Sequence, residues 1–535
     1  MSEVKEESSF GDDASSHPTE YQKPFQMIND VLNRIPIHVL LLIGSVIVTI
    51  GTCTHYILHQ LTWTPIGFSL DDSWIHLEYA RSIFEGRAWE YSPGTPSSGS
   101  TSPLWSIILS PIFLFTSDIP SIVWGVIIIS VIFYILCTFI IGAFFQSLLQ
   151  SKIVSFFSML GFVLIQSNTW LMLSGMEYPI LMFLLLQPLW MLDKPDHKFD
   201  ILLGIVAGLA YLARPEGVLL ALIVFPIRLL QHVNERDFTK KRFASMTLMV
   251  VSAGLAVLPW VLHCLTVSGY PLPDTFYVKV GSVSDTDVEA WNIFWTFFLS
   301  TMPFLLIGFV IGSLTLAIKK PYAWLMGIAL TLLYRYTMPY QALINNSRYL
   351  IPIFGFLAIS CIAGFIVAFK LIADRSPKAD PRIIPTAVTL LIIIVMIIPS
   401  VPYYQHQANV HRQAVKNINE MQVEIGYWIR ENTPSDAILA IGDVGAIRFV
   451  GDRRTIDLVG LTTPDIAHGN FTGAQLMDYL RNMSTDYLII FGKWTGYFYS
   501  YLGSKLEMLY RIQLDDNLIC GDSVMIVFEI DWDAS

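Results

Sequence analysis

The stretch Gly67–Tyr79, GFSLDDSWIHLEY, places two adjacent aspartates, Asp71 and Asp72, shortly after an apolar run at 37–60. A run of roughly twenty apolar residues is long enough to cross a bilayer as a helix. A charge close to lipid is costly, so an acidic pair at the end of a membrane span is by default a functional-site hypothesis. The stretch therefore predicts a membrane protein whose active centre lies where the chain leaves the bilayer.

The composition supports a membrane protein. The chain has 535 residues, of which 53% are hydrophobic and 14% charged, and its mean hydropathy is +0.54. Soluble domains carry about a quarter charged residues. The net charge of −10 argues against a nucleic-acid partner, which needs clustered Lys and Arg. The five cysteines lie far apart and show no paired spacing typical of zinc.

The apolar runs predict eleven spans, and the Lys and Arg of the loops predict their orientation. Most loop Lys and Arg fall on the even-numbered connections, which the positive-inside rule places in the cytoplasm. The N-terminus is then cytoplasmic and the C-terminus extracytoplasmic, in the plasma membrane. The predicted spans lie at 37–60, 122–147, 153–172, 178–192, 200–213, 216–231, 243–265, 292–318, 322–340, 349–372 and 384–403.

Three parts follow from this pattern. Residues 1–35 are polar and predict a disordered cytoplasmic tail. Residues 36–403 form a polytopic membrane domain whose first outer loop is 62–121, with an interfacial or partly re-entrant helix at 104–115. Residues 404–535 predict an extracytoplasmic α/β domain, since strand-like runs alternate with helices. Its elements are a helix at 410–430, another over LMDYLRN, and strands at 437–442, 455–460, 486–492 and 523–530.

The acidic pair has a structural and a functional interpretation. An Asp at a helix start can cap the helix, and the macrodipole favours it there. Two adjacent acids face different sides, so one can cap while the other faces a cavity. A carboxylate in that cavity could act as general base on a hydroxyl, or it could bind a divalent cation. His76 lies one turn from Asp72, and a histidine bonded to a carboxylate explains it without a chemical role.

Other charged residues gather on the side of the membrane predicted to be outside. Glu177 lies between two spans, where a solvated loop acid is an equal alternative to a site residue. Arg214 and Glu216 lie in a turn that an internal ion pair explains equally well. Lys279 and Arg348 are cations among aromatic residues near the membrane surface, which suits a phosphate but also an interfacial anchor.

These segments together resemble a known family, the membrane glycosyltransferases of the GT-C class. The first outer loop carries the most specific match, and shorter motifs follow in the same order as in that class. Among the members of that class, the chain resembles the mycobacterial cell-envelope arabinofuranosyltransferases. The motifs are DDSWIHLEYARSIFEGRAWEYSPGTPSSGSTSPLW, SGME, ARPEG, PLPDTFYVK, SRYLIP and WIRENTPSDAILAIGDVGAIRFVGDRRTIDLVGLTTPDIA.

The resemblance implies a membrane all-α, GT-C-like fold and an inverting transfer of a hexose or pentose. The donor would be a polyprenyl-phosphate sugar, and the acceptor a cell-envelope glycan, with a lipid-linked glycan or a protein as alternatives. It implies that Asp71, or alternatively Asp72, is the base, and that Lys279 and Arg348 contact the donor phosphate. His76, Glu177, Arg214 and Glu216 would contact substrate. A divalent cation stays an open alternative, since no complete ligand set is recognisable.

Two other classes compete with the enzyme. A transporter or flippase of lipid-linked sugars would place polar residues at mid-membrane depth and would show internal repeats. No clear repeat is present, and the candidate residues gather at one interface. An envelope scaffold would explain residues 404–535 but not the acidic pair.

Overall fold

The computed structural model describes residues 35–165, 167–235, 239–280, 321–337, 344–374 and 383–534. The tail predicted over 1–35, apart from Ile35, lies outside these residues, as does the span predicted over 292–318. The described chain has two parts: a bundle of apolar helices, and a mixed sheet near the C-terminus.

Five helices in the described ranges are long and apolar enough to cross a membrane. Other predicted spans correspond to shorter or interrupted helices; for example, Ser167, with φ 60°, separates two helices within the span predicted over 153–172. The exact number of eleven spans therefore stays a prediction. The five long helices are Ile37–Leu61, Ile119–Leu149, Pro215–Asn234, Lys240–Val267 and Ile344–Lys370.

Shorter helices fill the bundle and its surface. The segment 104–115 forms a short α-helix followed by a 3₁₀ turn at Ser110–Leu114, and the small hairpin of β1 (Glu90–Ser92) and β2 (Thr95–Pro96) precedes it. The shorter α-helices are Asp72–Phe84, Pro103–Leu109, Lys152–Leu164, Asn168–Met172, Tyr178–Leu186, Pro188–Met191, His197–Ala213, Asp274–Val280 and Pro321–Thr337.

A long helical run connects the bundle to the sheet. It begins at Ile383 and ends at Asn432, with π-helical turns at Ile393–Ile397 and Asn419–Val423. The helix predicted over 410–430 is the second half of this run. The boundary predicted at 404 lies within the helix Ile398–Ile418, so the backbone shows no break there.

The sheet has five strands in the order β4-β3-β5-β7-β6. Strands β4, β3 and β5 are parallel, whereas β7 runs antiparallel to both β5 and β6. Strands β3, β5 and β7 lie within predicted runs, and β4 overlaps its predicted run at 455–457. Strand β6 was not predicted, because most of its side chains are exposed. The strands are β3 Ile438–Ile441, β4 Arg454–Asp457, β5 Tyr487–Phe491, β6 Leu506–Gln513 and β7 Val524–Ile530, and the intervening helices are Gly445–Gly451, Pro464–His468, Gly473–Asn482 and Thr495–Leu502.

The helix Asp72–Phe84, called the acid helix below, lies between the two parts. Its Trp74 and Leu77 belong to the core of the helical bundle. Its Ile75 and Tyr79 belong to the hydrophobic core on one face of the sheet. Burial of apolar side chains on opposite sides fixes the helix between bundle and sheet, and so fixes where its first residues point.

Candidate active site

A small pocket lies beside the first turn of the acid helix. Its walls come from the bundle, from the loop after β2 and from the sheet region, because Gly99 and Leu461 both line it. A side chain at Gly99 would collide with the Leu461 carbonyl oxygen, 2.1 Å from a Cβ built there, so the close contact needs glycine. The charged and aromatic lining residues are Asp72, His76, Arg214, Lys279, Arg348 and Tyr349.

Asp72 faces this pocket, called the acid pocket below, and lies between two cations. Its Oδ2 accepts a hydrogen bond from Arg348 Nη2 at 2.7 Å and lies 3.7 Å from Lys279 Nζ. Burial alone would raise the pKa of Asp72, but Arg348 and Lys279 hold it well below its usual range. The carboxylate is therefore ionised in the free protein and serves as the counter-ion of both cations.

Arg348 is buried, with 3% of its surface exposed, yet its hydrogen-bonding capacity is only partly used. Within the described part of the chain, its Nε and Nη1 have no hydrogen-bond partner. Its guanidinium lies 5.1 Å from the centre of the Tyr349 ring. A buried guanidinium with free N–H groups can bind an anion strongly, since charge-assisted bonds are stronger away from water.

Asp71 makes contacts that the sequence did not predict. No side chain caps the start of the acid helix, so the interpretation of one acid as the cap of that helix is wrong. Instead, the Asp71 carboxylate accepts hydrogen bonds from the backbone N–H groups of Gly445 at 2.7 Å and Ala446 at 2.8 Å. These amides begin the helix Gly445–Gly451, which follows β3. Asp71 therefore connects the acid helix to the sheet region.

Burial raises the pKa of Asp71 to about 6, although the amides of Ala446 and Gly445 act in the opposite direction. A Cβ built on Gly445 would lie 2.2 Å from the Asp71 carbonyl oxygen, so only glycine permits this approach. Of the acidic pair, the described lining of the acid pocket includes Asp72 and not Asp71. The two adjacent acids thus face different surroundings, as two successive positions on a helix do.

Behind the pocket, His76 and Glu177 form a buried polar contact. His76 Nε2 lies 2.9 Å from Glu177 Oε2, so the histidine is in close contact with a carboxylate, although not with that of Asp72. Glu177 has no exposed surface, and the alternative of a solvated loop acid is therefore wrong. Burial would raise the pKa of Glu177, but Arg214 and His76 lower it to about 2.

Arg214 and Glu216 form the internal ion pair that was one of their two interpretations. Arg214 Nε lies 2.5 Å from Glu216 Oε1, and Tyr334 donates its hydroxyl to the same oxygen at 2.7 Å. Arg214 also pairs with Glu177 and itself lines the acid pocket. The ion pair and the pocket position therefore coexist, and all the candidate site residues lie in one neighbourhood.

Further buried acids near the site were not singled out from the sequence. Glu78 has no exposed surface and pairs with Arg448, 2.9 Å away, which joins the acid helix to the sheet region. Asp274 accepts hydrogen bonds from Ser98 at 2.7 Å and His468 at 3.0 Å, and so anchors the helix that carries Lys279. Their signal was present in the motifs DDSWIHLE and PLPDTFYVK, but single acids inside a motif do not show which are buried.

No group of three or more His, Cys, Asp or Glu side chains that could hold a metal ion occurs among the residues the structure describes. The acids of the site are instead paired with cations or with backbone amides. A cation requirement is therefore left to experiment.

Sequence comparison covers only part of the chain. A family model described as "Domain of unknown function (DUF8728)" matches residues 412–525, which include most of the sheet. No curated protein matches the chain.

Comparison of structures covers nearly all of it. The ArnT protein from Cupriavidus metallidurans bound to undecaprenyl phosphate has a TM-score of 0.55 and 12% identity, over 90% of this chain and 98% of that one. Its apo state has a TM-score of 0.56 with 12% identity, over 90% and 97%. An oligosaccharyltransferase from Archaeoglobus fulgidus, tethered to an acceptor peptide, has a TM-score of 0.53 with 12% identity, over 86% and 70%.

These structural neighbours are GT-C glycosyltransferases, and at such low identity the likeness shows a shared fold. The apolar helices and the membrane-embedded neighbours agree on a multi-pass membrane protein. The chain thus has the GT-C fold.

Proposed function

We propose that this protein is a glycosyltransferase that moves a sugar from a polyprenyl-phosphate donor to a cell-envelope glycan or lipid-linked acceptor. The acid pocket is the observation that supports this most directly, because it combines the carboxylate of Asp72 with Arg214, Lys279 and Arg348. The fold shared with ArnT and the oligosaccharyltransferase also supports it.

Arg348 and Lys279 are the proposed ligands of the donor phosphate. Arg348 has two nitrogens without partners in the described chain, and among the described residues Asp72 is the carboxylate that pairs with both cations. The polyprenyl chain must stay in the bilayer, so the protein has to bind its phosphate at the membrane–water interface. A pocket beside the ends of apolar helices meets that requirement. Cations there would also stabilise the charge that develops on the leaving phosphate.

The proposed reaction is an inverting displacement. The acceptor hydroxyl oxygen attacks the anomeric carbon from the face opposite the phosphate, and the bond between that carbon and the phosphate oxygen breaks. The hydroxyl proton passes to a carboxylate, and polyprenyl phosphate leaves. We assign the base to Asp72, because it is the member of the acidic pair that lines the pocket. A bound phosphate would share its two cations and so raise its pKa towards the value of an ordinary carboxyl.

Asp71, the first choice from the sequence, stays the competing assignment. Its pKa of about 6 is closer to what a base needs at neutral pH. Against it, both carboxylate oxygens are occupied by the amides of Gly445 and Ala446. The base is thus one of two adjacent carboxylates, and their variants distinguish them.

The remaining candidate residues are proposed either to contact the sugar or to hold the residues that contact it. Arg214 and His76 line the pocket and can donate hydrogen bonds to sugar hydroxyls. Glu177 contacts both of them and orients them, while Glu216 holds Arg214 from the other side. Whether the sugar is a hexose or a pentose, and whether the enzyme is arabinofuranosyltransferase-like, depends on the shape of the occupied pocket.

The proposed orientation places the acid pocket and residues 404–535 outside the plasma membrane, with residues 1–35 in the cytoplasm. The distribution of loop Lys and Arg supports it. In this orientation the sheet region lies where a glycan acceptor would arrive.

Reconstituted protein tests the proposed function. Proteoliposomes are given a panel of polyprenyl-phosphate hexoses and pentoses with envelope glycan and lipid-linked acceptors, and product is followed by mass spectrometry. Transfer that requires both donor and acceptor would support the proposal, and a chelator arm would show whether a cation is needed. Protein that moves the donor between leaflets without transferring its sugar would overturn the enzyme in favour of the flippase.

A further inference from the structure

A third acid reaches the site from the sheet region. Asp443 lies in the turn between β3 and the helix Gly445–Gly451, two residues before the amide that binds Asp71. Because Gly445, two residues further on, donates its amide to Asp71 Oδ2 at 2.7 Å, the carboxyl group of Asp443 is placed next to that of Asp71 and interacts with it. Gln422 Nε2 donates to Asp443 Oδ2 at 2.7 Å and fixes it from the other side.

Two carboxyl groups in such contact cannot both be ionised without strong repulsion, so one of them holds a proton. Asp71 already receives two backbone N–H groups, which favour its charged form. Asp443 receives only the Gln422 amide among the described residues and faces the charges of Asp71 and Asp72. The proton therefore belongs on Asp443, which can then donate it in a hydrogen bond to Asp71.

We propose that Asp443 is a positioning residue that stays protonated at neutral pH and donates a hydrogen bond to Asp71. Together with the amides of Gly445 and Ala446, it completes three donors around the Asp71 carboxylate. The start of the acid helix is thereby held in one orientation, with Asp72 directed into the acid pocket. The sheet region is then part of the catalytic unit rather than only a surface for an acceptor. The catalytic part of this inference rests on the proposed function.

Other titratable groups surround this contact. Asp72 lies beside Asp71 on the acid helix, and Cys520 approaches from the segment before β7, 3.5 Å from the Gln422 Oε1. Tyr91 donates its hydroxyl to the Val444 carbonyl at 3.0 Å. Burial raises the pKa of Asp443, and the negative charge of Asp71 raises it further. None of these neighbours supplies a positive charge that would favour an ionised Asp443.

The first test compares two substitutions of Asp443. Asp443→Asn keeps a side chain of the same shape that can donate to Asp71, so it should retain transfer within about threefold. Asp443→Ala removes the donor and should reduce kcat by about tenfold to a hundredfold, since small misplacements of a reacting group have effects of that size. Asp465→Asn, an exposed acid in the same region, is the matched control and should not change kcat.

The second test does not depend on activity. A carboxyl group whose pKa is higher in the folded than in the unfolded state favours folding when protonated, and that stability is lost as pH rises through the folded pKa. Asp443→Asn cannot ionise, so its melting temperature in detergent should increasingly exceed that of wild type between about pH 5 and about pH 8. Asp465→Asn should show no such trend.

The outcomes separate this inference from the proposed function. Retained transfer by Asp443→Asn, loss by Asp443→Ala and a widening difference in melting temperature support it. Equal losses in the Asn and Ala variants would mean that the ionised carboxylate is required, and would overturn it, as would a pH-independent difference in melting temperature. If wild type transfers no donor, the proposed function fails, and the melting experiment still decides whether Asp443 is protonated.

Discussion

Two charged sites lie at opposite ends of one helix, His197–Ala213. Asp200 is in its first turn, and Arg214 follows its last residue. Arg214 follows Asp200 by 14 positions along the chain, which corresponds to about 21 Å of helix. Both sites combine a buried arginine with an acidic side chain, and both lie near the ends of apolar helices. Charge at the end of a helix therefore does not distinguish a binding site from a structural contact.

At the first site, called the Asp200 cluster, every nitrogen of the arginine has an acceptor. Arg228 Nε lies 2.5 Å from Asp200 Oδ1, its Nη2 donates to the Lys194 carbonyl at 2.6 Å, and its Nη1 donates to Gln231 Oε1 at 3.1 Å. Ser245 donates to the other oxygen of Asp200 at 2.6 Å. The nitrogens of this arginine are therefore satisfied by a network that joins helices, while the ring nitrogens of the neighbouring His232 have no hydrogen-bond partner among the described residues.

The acid pocket differs because some hydrogen-bond donors of its arginine have no acceptor among the described residues. Arg348 donates a hydrogen bond to Asp72 through Nη2 only, and its Nε and Nη1 have no acceptor in the described chain. Lys279 is 3.7 Å from the same carboxylate oxygen. One acid thus balances two cations beside an open space, so an additional anion would complete the site. The comparison indicates that unsatisfied donors, rather than charge alone, mark the functional end.

The largest expected effect concerns the base. Asp72→Asn should reduce kcat by about a hundredfold to ten-thousandfold, as expected when general-base catalysis is lost. Asp71→Asn should cost less, because it changes a carboxylate that contacts the sheet region rather than the pocket. Transfer rates with saturating donor and acceptor measure both variants, after gel filtration confirms that each is folded. The opposite ranking would make Asp71 the base.

A substitution in the Asp200 cluster should lower the stability of the protein and leave its catalysis unchanged. Arg228→Gln leaves the fully buried Asp200 without its main counter-ion, so unfolding should become easier by about 3 kcal/mol. The kcat/KM of the protein that remains folded should equal that of wild type. Thermal unfolding in detergent and transfer kinetics measure the two quantities. A variant that kept its stability but lost transfer would give this end of the helix a functional role.

Lys279→Gln should have a smaller effect, and that effect should be on binding of the donor. Its side chain is 23% exposed and its ammonium group lies 3.7 Å from the carboxylate, so solvent already weakens its interactions. We expect the KM for the donor to rise by up to about tenfold with little change in kcat, since a rim cation mainly contributes binding. Initial rates across donor concentrations provide the measurement, and Lys194→Gln at the other end is a matched control. A change confined to kcat would contradict the assignment.

The smallest effect is expected from pH. Arg348 and Lys279 hold the pKa of Asp72 in the folded protein below its usual range, so Asp72 stays ionised at mildly acidic pH. Transfer that depends on Asp72 should therefore stay constant down to about pH 5. Asp71 has a raised pKa of about 6 and would begin to take up a proton as pH falls through that value. The pH profile of kcat/KM reports the free enzyme. A profile that falls below about pH 6 would therefore favour Asp71 as the base.

The sequence predicted the location of the site better than its contacts. Asp72, Arg214, Lys279 and Arg348 all lie near the ends of apolar runs, and the structure brings these four residues to one pocket. Sequence position alone could not show that Asp71 binds the amides of Gly445 and Ala446, which lie more than three hundred residues later. Long-range contacts of this kind follow from how the sheet packs on the acid helix.

For the fold, too, features with a local sequence signal were predicted and features that depend on distant residues were not. Strongly apolar runs such as 122–147 were predicted as helices, because membrane length and hydropathy are local signals. Strand β6 was missed, since an edge strand with exposed side chains has no continuous apolar run. Glu177 was assigned equal chances of being solvated, because burial of a loop acid depends on partners such as His76 and Arg214 that are distant in sequence.

The most direct test of the account is binding of undecaprenyl phosphate to matched arginine variants. Purified wild type, Arg348→Gln and Arg228→Gln are compared by native mass spectrometry or by microscale thermophoresis in the same detergent, with an uncharged polyprenol as a control for the lipid tail. Loss of a buried, charge-assisted contact should raise the Kd of Arg348→Gln by at least about tenfold. Arg228→Gln should bind as wild type does. Equal binding by all three proteins, or weakening only in Arg228→Gln, would contradict the claim that the acid pocket receives the donor phosphate.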